Sequence, residues 1–162
     1  MIEDDSNREK SAWNLVVDFL STLIENSVDF TVFQICSGKT DSAEPYVQTL
    51  LEEEGRLRLE CISNEYLDPP MSRESETRLE QLGWLPPIKD DDLTNFFRYV
   101  DLEHESIRSA ADFLITTLRE IFAIDLSDSV VCDASDEALN AVRRKFRLDS
   151  RECFTLRDQF YR

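Results

Sequence analysis

The sequence has very few of the residues that build nucleotide sites and imidazole sites. Its three glycines, Gly38, Gly55 and Gly83, lie too far apart to form the phosphate-binding loop of a P-loop or a dinucleotide fold. His104 is its one histidine. The sequence therefore excludes nucleotide sites of those two types, and any catalytic or metal site that needs two imidazoles from one chain.

Positive charge is also scarce. Lys and Arg total 18 against 34 Asp and Glu, so the formal net charge of the 162 residues is −16 at pH 7. Such a chain repels nucleic-acid phosphates and anionic membrane surfaces, and we expect neither as a partner. A basic or neutral protein surface is favoured instead. The 41% hydrophobic content is sufficient for a packed core.

A long uncharged apolar run is missing as well, and the chain starts with the acidic residues 3–5. We expect no secretory signal, no membrane span and a cytoplasmic location. The spacing of the cysteines matches neither a CxxC motif nor a zinc knuckle. They are interpreted as buried free thiols in a reducing cytosol, with a Cys36–Cys61 pair between neighbouring strands as the alternative; the four are Cys36, Cys61, Cys132 and Cys153.

Hydrophobic spacing in the first third predicts a helix and three strands. Apolar residues recur every three or four positions from Ser11 to Ser27, as in an amphipathic helix. Phe30–Cys36 has apolar residues at both alternating sets of positions, which predicts a strand near the middle of a sheet. Tyr46–Leu51 and Leu57–Ile62 are predicted to pair antiparallel through a hairpin that contains Gly55.

The middle of the chain predicts helix, strand, helix. A polar helix is expected over Ser72–Leu82, with Ser72 as N-cap and Gly83 just past its end. Asn95–Val100, which has aromatic residues at both alternating sets of positions, is predicted to form a fourth strand. A long helix follows with its apolar stripe over Ile107–Phe122, and the negative charges expected at its beginning are Asp101, Glu103 and Glu105.

The remaining residues are treated as a C-terminal extension, 125–162, of a domain over 1–124. A short strand is expected near Ser129–Cys132 and a helix over Asp136–Phe146, capped by Ser135. Residues 143–162 carry seven basic and three acidic side chains, so this end is expected to pack on the acidic domain or on a partner subunit. The fold class is α+β, an antiparallel sheet with helices on one face, in the order α-β-β-β-α-β-α plus the extension.

Several short motifs in this frame resemble one family. They are Tyr46-Val47-Gln48, Glu60 with Asn64, Tyr66 and Leu67, the segment Leu79–Trp84 with Pro87, and Asn95 before the aromatic strand. With the element order, they are similar over residues 13–124 to the actinobacterial TY-Chap proteins, which are grouped with type III secretion chaperones and YbjN. The resemblance implies a secretion chaperone-like fold, non-catalytic binding of peptides or unfolded protein segments, and a homodimer.

The fourth strand carries the main candidate site. Adjacent strand side chains point to opposite sides, so helices on one face cannot bury both Phe96 and Phe97. Either Phe97 with Tyr99, or Phe96 with Val100, must face away from the helices. An aromatic row exposed in this way would be covered by a client segment, by a second subunit, or by the C-terminal end of the same chain.

Four further residues are candidates for peptide binding, each with a structural alternative. Trp84 could border a client pocket or pack against the second helix. Tyr46 and Asn95 could bind a peptide backbone or tie loops to strand ends. Arg98 could pair with a client carboxylate or with an acid of its own chain.

Catalytic and metal sites are not expected. His104 is placed in the first turn of the long helix, facing solvent. Neither Asp90–Asp92 nor the set Asp125, Asp128, Asp133 and Asp136 has the spacing of an EF-hand loop. We therefore expect no catalytic residue, no metal and no cofactor.

The sequence leaves three functions open. A chaperone-like module that binds a protein or peptide client without chemistry is favoured. An inhibitor or immunity-type protein that neutralises one basic folded target is the first alternative. A hydrolase with paired carboxylates is the second, since 34 acids can form such a pair by chance.

Overall fold

The computed structural model describes residues 2–36, 44–148 and 153–161. Two single 3₁₀ turns occupy Glu53–Gly55 and Lys89–Asp91. The helices in the described ranges are α1 (Ile2–Asn26), α2 (Arg73–Leu82), α3 (Ile107–Phe122), α4 (Asp136–Phe146) and α5 (Leu156–Phe160). The strands are β1 (Phe30–Ile35), β2 (Tyr46–Leu51), β3 (Arg56–Cys61), β4 (Phe96–Asp101), β5 (Ser129–Ala134) and β6 (Phe154–Thr155).

The strands form one antiparallel sheet in the order β4-β3-β2-β1-β5-β6. Strand β1 lies inside it, between β2 and β5, which confirms the prediction of a central strand. Strands β2 and β3 pair through the predicted hairpin, in which Gly55 has a φ of 72°. Glycine adopts a positive φ without a steric cost, and this is the physical reason why Gly55 suits the hairpin turn.

The helices pack on one face of the sheet, here called the helix face, and the predicted α+β class is confirmed. Helix α1 lies between α3 and α4, and α2 contacts α3. The apolar side chains of α1 pack against every second residue of the strands, and together they form one hydrophobic core. This core includes Val16, Leu20 and Leu23 of α1, Phe33, Val47, Leu59, Val100 and Val130 of the sheet, and Leu114 and Leu118 of α3.

Serine caps set three of the helix starts. The side-chain oxygens of Ser72 and Ser135 accept from the backbone N–H groups of Ser75 and Ala138, as the sequence predicts. Ser106 caps α3 in the same way. The placement of His104 in the first turn of α3 was therefore wrong: the carbonyl of Asp101 accepts from the N–H of His104 in a turn that precedes the helix.

Helix α1 begins about nine residues earlier than the apolar pattern predicts, at Ile2. The described side chains from Asp4 to Ser11 are exposed, and burial starts at Ala12. Hydrophobic periodicity reports only the part of a helix that contacts a core. The first turns of α1 extend beyond that contact and so leave no apolar stripe.

The C-terminal segments complete the sheet and cover one end of α1. Strand β5 pairs with β1, and α4 packs along α1. The ring of Phe19 in α1 meets three rings edge-on, at centroid distances of 5.4 Å to Phe146, 5.7 Å to Phe154 and 5.5 Å to Phe160. Residues 149–152 and 162, with two of the seven basic side chains, lie outside the described residues. The division of the chain at residue 124 stays a prediction.

Replacing Gly83 with alanine is expected to cost about 1–2 kcal/mol of stability. Gly83 ends α2 with a φ of 115°, and its N–H donates to the carbonyl of Glu80. A new Cβ would have the side chain of Arg98 as its nearest neighbour, at 3.7 Å, an ordinary contact. The cost therefore comes from the backbone, and urea unfolding measures it. Gln81→Ala, an exposed site in the same turn, should stay within about 0.5 kcal/mol of the parent; equal effects would contradict this explanation.

Candidate functional site

The candidate site is the sheet face opposite the helices, here called the open face. Strand pairing and the alternation of side chains assign its members. They are Phe30, Val32 and Gln34 of β1, Tyr46, Gln48 and Leu50 of β2, Arg56, Arg58 and Glu60 of β3, Phe97, Tyr99 and Asp101 of β4, and Val131 and Asp133 of β5.

One row of side chains crosses the open face, and it is apolar on three of its four strands. The register places Phe30, Leu50, Arg58 and Tyr99 side by side on β1, β2, β3 and β4. Phe30 is 37% exposed and Tyr99 36% exposed, and Leu50 between them is half-buried. Aliphatic and aromatic side chains grouped on one exposed sheet face are typical of a surface that contacts another chain.

Strand β4 places two aromatic residues on the open face, and they differ in exposure. Phe96 and Val100 point to the helices and are buried, so the outward set is Phe97 with Tyr99. Phe97 is nevertheless only 4% exposed, because the segment at Leu85 bridges to its backbone and the ring of Tyr99 packs against it at 5.8 Å. Tyr99 is thus the accessible member of the pair.

Arg58, the charged member of this row, belongs to a balanced ion network. Arg58 donates to Glu52 Oε1 at 2.7 Å and to Glu60 Oε2 at 3.1 Å, and Arg56 donates to Glu52 Oε2 at 2.6 Å. Burial alone would lower the pKa of the Arg58 guanidinium, but Glu60 and Glu52 outweigh it and the pKa is raised. The guanidinium of Arg56 also lies 4.2 Å from the centre of the Tyr99 ring. These contacts hold Tyr99 in place at the side of the row.

Tyr46 and Asn95 lie together at the other end of the open face. The Nδ2 of Asn95 donates to Tyr46 Oη at 3.0 Å and to Glu60 Oε1 at 3.2 Å, and its Oδ1 accepts from the N–H of Ser63. Burial, with Glu60 nearby, raises the pKa of Tyr46. Asn95 is itself buried, so its amide ties the loop before β4 to the sheet.

Trp84 and Arg98 lie on the helix side. Trp84 is buried, donates to Thr117 Oγ1 at 3.0 Å and packs on the ring of Phe113. The guanidinium of Arg98 lies 4.5 Å from the same ring and pairs with Glu105 at 3.3 Å. Arg98 thus pairs with an acid of its own chain, and the Trp84 ring is buried against α3, whereas its structural alternative placed it against the second helix. Neither residue is part of the open face.

The sequence analysis missed Phe30 and Leu50 as site residues. The necessary pattern was present in β1, where both alternating sets of positions are apolar. That pattern was used to predict a central strand, and a strand with two apolar faces needs a cover on each. Only the register with β2, β3 and β4 shows that Phe30 and Leu50 belong to the same row as Tyr99.

A second feature lies in the turn after β4. Possible ligand atoms of Asp101, Glu103 and His104 lie within 4.8 Å of one another, all on exposed side chains. His104 Nδ1 is 2.7 Å from Asp101 Oδ2, and hydrogen bonds from the backbone of Glu103 and from His104 lower the pKa of the Asp101 carboxyl. The Asp101 carboxyl also accepts from the N–H of Glu103. Hydrogen bonds within the turn therefore explain why these three side chains lie close together.

The helices give no indication of a membrane span. In the part of the chain that the structure describes, no helix combines the length and the apolar composition that crossing a bilayer requires.

Comparison with known families identifies the chain. A family model described as "T3SS (YopN, CesT) and YbjN peptide-binding chaperone 3", or TY-Chap3, matches residues 6–136. The chain belongs to the TY-Chap3 family. The matched range extends beyond residue 124 and includes β5, so the family resemblance covers more of the chain than the sequence motifs alone indicated. No curated protein and no solved structure is similar enough to this chain to match it.

Membership of TY-Chap3 decides the class of function at a coarse level. The family is one of peptide-binding chaperones related to secretion chaperones and YbjN, and the chain is a chaperone-like, peptide-binding module with a protein or peptide as its partner. The α+β architecture, with one sheet face free of the described helices, agrees with this class.

Proposed function

We propose that the open face binds an extended segment of a client protein, and that side chains of this segment rest on Phe30, Leu50 and Tyr99. The observation that carries the proposal is this row, which is apolar at Phe30, Leu50 and Tyr99, has the ion-paired Arg58 on β3, and keeps two aromatic rings more than one-third exposed. The family supplies the kind of partner, since its description names peptide binding. No reaction is required of the residues involved.

The dimensions of the row suit a short extended segment. Four neighbouring strands at about 4.8 Å spacing span roughly 14 Å. An extended peptide covers that distance with about four or five residues. A client lying across the strands would therefore place two or three side chains of one face on the row, and the rest would face solvent.

The charge of the chain favours a basic client. The net charge is −16, and the exposed carboxylates of Asp101 and Asp133 stand on the open face at strands β4 and β5. The arginines of this face are already neutralised by Glu52 and Glu60. Lysines that flank apolar residues in the client would be attracted to this surface, and salt would weaken the association.

Adjacent leucines on β2 give a matched test of the proposal. Leu50 points to the open face, whereas Leu51 pairs with Leu57 of the core and points to the helix face, although it is 46% exposed at the end of its strand. Binding of unrelated fluorescent peptides, each with alternating apolar residues and several lysines, is measured by anisotropy. We expect Leu50→Ser to raise the Kd about tenfold and Leu51→Ser to leave it within about twofold of the parent.

Other results would point elsewhere. Equal binding by the parent and Leu50→Ser would exclude the open face. A chaperone should be displaced from one peptide by many others, whereas an inhibitor or immunity-type protein should bind almost none of them. A change of molecular mass in Leu50→Ser would identify a second copy of the chain as the occupant. Thermal unfolding of both variants confirms that each remains folded.

A further inference from the structure

Two thiols meet at the edge of the sheet that is opposite to β4. Cys36 directly follows β1, and Cys153 directly precedes β6. The Cys153 thiol donates to the carbonyl oxygen of Cys36, and the Sγ–O distance is 3.8 Å. The N–H of Cys36 donates to the carbonyl of Ser129, so β5 holds the two segments side by side. Residues that are far apart in the sequence are thus neighbours.

This pair differs from the other cysteines. Burial raises the pKa of the Cys61 and Cys132 thiols far above the usual range, and both belong to the helix face. Cys153 is exposed, so the expectation of a buried thiol was wrong for this residue, and Cys36 and Cys132 are half-buried. Cys61, the other partner considered for Cys36, is instead buried, and its Sγ donates to the carbonyl oxygen of Ile62 at 3.8 Å. Cys153 is therefore accessible to solvent and also in contact with a second cysteine, Cys36.

We propose that Cys36 and Cys153 form a reversible disulfide by exchange with a low-molecular-weight disulfide such as oxidised glutathione. The proposal does not depend on the binding of a client. It rests on the 3.8 Å contact between Cys153 Sγ and the backbone of Cys36, on the accessibility of the two side chains, and on their attachment to β1 and β6, which both pair with β5.

The exchange takes place in two steps that balance. The thiolate of Cys36 attacks one sulfur of the small disulfide, the S–S bond breaks, and one small thiol leaves with the proton that Cys36 has lost. The thiolate of Cys153 then attacks the sulfur of Cys36, and the second small thiol leaves with the proton from Cys153. The two protein thiols are oxidised and one molecule of the small disulfide is reduced.

The order of these steps follows from the surroundings of Cys153. Burial, and then the hydrogen bond and charge of Cys36, raise the pKa of Cys153 to about 11. Cys153 is therefore a poor first nucleophile at neutral pH, and the first attack is assigned to Cys36. Once Cys36 carries the mixed disulfide, it no longer has a free thiol. Its contribution to the raised pKa of Cys153 is then lost.

The bond would attach the C-terminal segment to the centre of the sheet. Strand β6 is two residues long, and it leads into α5, whose Phe160 packs on Phe19. A link from Cys153 to the end of β1 closes a loop that spans most of the chain. Cross-links of such loops restrict the unfolded state strongly, so the oxidised protein should unfold at a temperature higher by roughly 5–10 °C.

The test uses the full chain in glutathione buffers of stepped ratio, followed by acid quenching, alkylation and mass spectrometry. Oxidation should reduce the free thiols from four to two, with one cross-linked peptide pair that contains Cys36 and Cys153. It should raise the melting temperature of the parent and of Cys132→Ala, and should leave that of Cys36→Ser unchanged.

Three results would overturn the proposal. One is four alkylated thiols at ratios where oxidised glutathione dominates, and another is a mixed disulfide on Cys153 that does not proceed to the intramolecular bond. The third is a cross-link that forms equally well in urea, because proximity in the fold would then not be its cause. Cys36→Ser and Cys153→Ser are judged by the thiol count and the peptide map, and these readouts remain valid if either substitution lowers stability.

Discussion

Replacing Trp84 with alanine is expected to lower the free energy of unfolding by about 3–5 kcal/mol. Trp84 is 2% exposed, packs on Phe113 at a centroid distance of 5.0 Å and donates to Thr117 Oγ1. The substitution removes the ring, opens a cavity between the α2–β4 connection and α3, and leaves Thr117 without its donor. A loss of this size is a large fraction of the 5–15 kcal/mol that keeps most domains folded.

Trp84→Phe separates the ring from its hydrogen bond. Phenylalanine keeps an aromatic contact with Phe113 but cannot donate, and Thr117 still donates to the carbonyl of Phe113 at 2.9 Å. We expect this variant to lose about 1–2 kcal/mol. Urea unfolding measures both variants, and an unchanged m value shows that the two-state comparison is valid. Full stability of Trp84→Ala, with weakened binding of peptides, would instead favour the client-pocket interpretation of Trp84.

The second large effect is expected from Phe97→Ala, at about 3–4 kcal/mol of stability. Phe97 is on the open face but only 4% exposed, beneath the ring of Tyr99 and the bridge to Leu85. Removing its ring would take away support from both. Phe97 was considered as a binding residue from the sequence, and its burial predicts that its loss affects folding before it affects a partner.

Tyr99→Ala is the matched control, two residues along the same strand and on the same face. Its ring is 36% exposed, has the guanidinium of Arg56 over one face and packs against the ring of Phe97. We expect a stability loss of about 1 kcal/mol together with a Kd for basic peptides raised roughly tenfold. Thermal unfolding and peptide anisotropy on the two variants give the comparison. Similar stability losses for both would mean that Tyr99 belongs to the core, and the open face would lose its main accessible ring.

Local chemistry explains which boundaries could be predicted. The start of α2 at Arg73, its end at Gly83 and the range of α4 agree with the structure. Each depends on a serine side chain that accepts from an N–H three residues later, or on a glycine with positive φ. These interactions are complete within a few residues. Helix α1 had no such cap to mark its start, and its first turns contact no core.

The exposure of individual side chains could not be predicted in the same way. Alternation shows that Phe96 and Phe97 point in opposite directions, but it does not show that Leu85 and Tyr99 cover Phe97. Asn95 and Trp84 could be given two roles each from the sequence. Their buried partners, Glu60 and Thr117, lie on other elements and become neighbours only in the folded chain.

The amino-acid sequence by itself determined the α+β class, the antiparallel hairpin, most helix ends and the family to which the chain belongs, because short-range hydrogen bonds and hydrophobic periodicity encode these features. Only the tertiary structure decided that Phe30, Leu50 and Tyr99 form one row and that Cys36 meets Cys153. Both depend on which strands pair, and strand pairing is set by contacts between residues far apart in the chain, where burial of the whole sheet outweighs local preference.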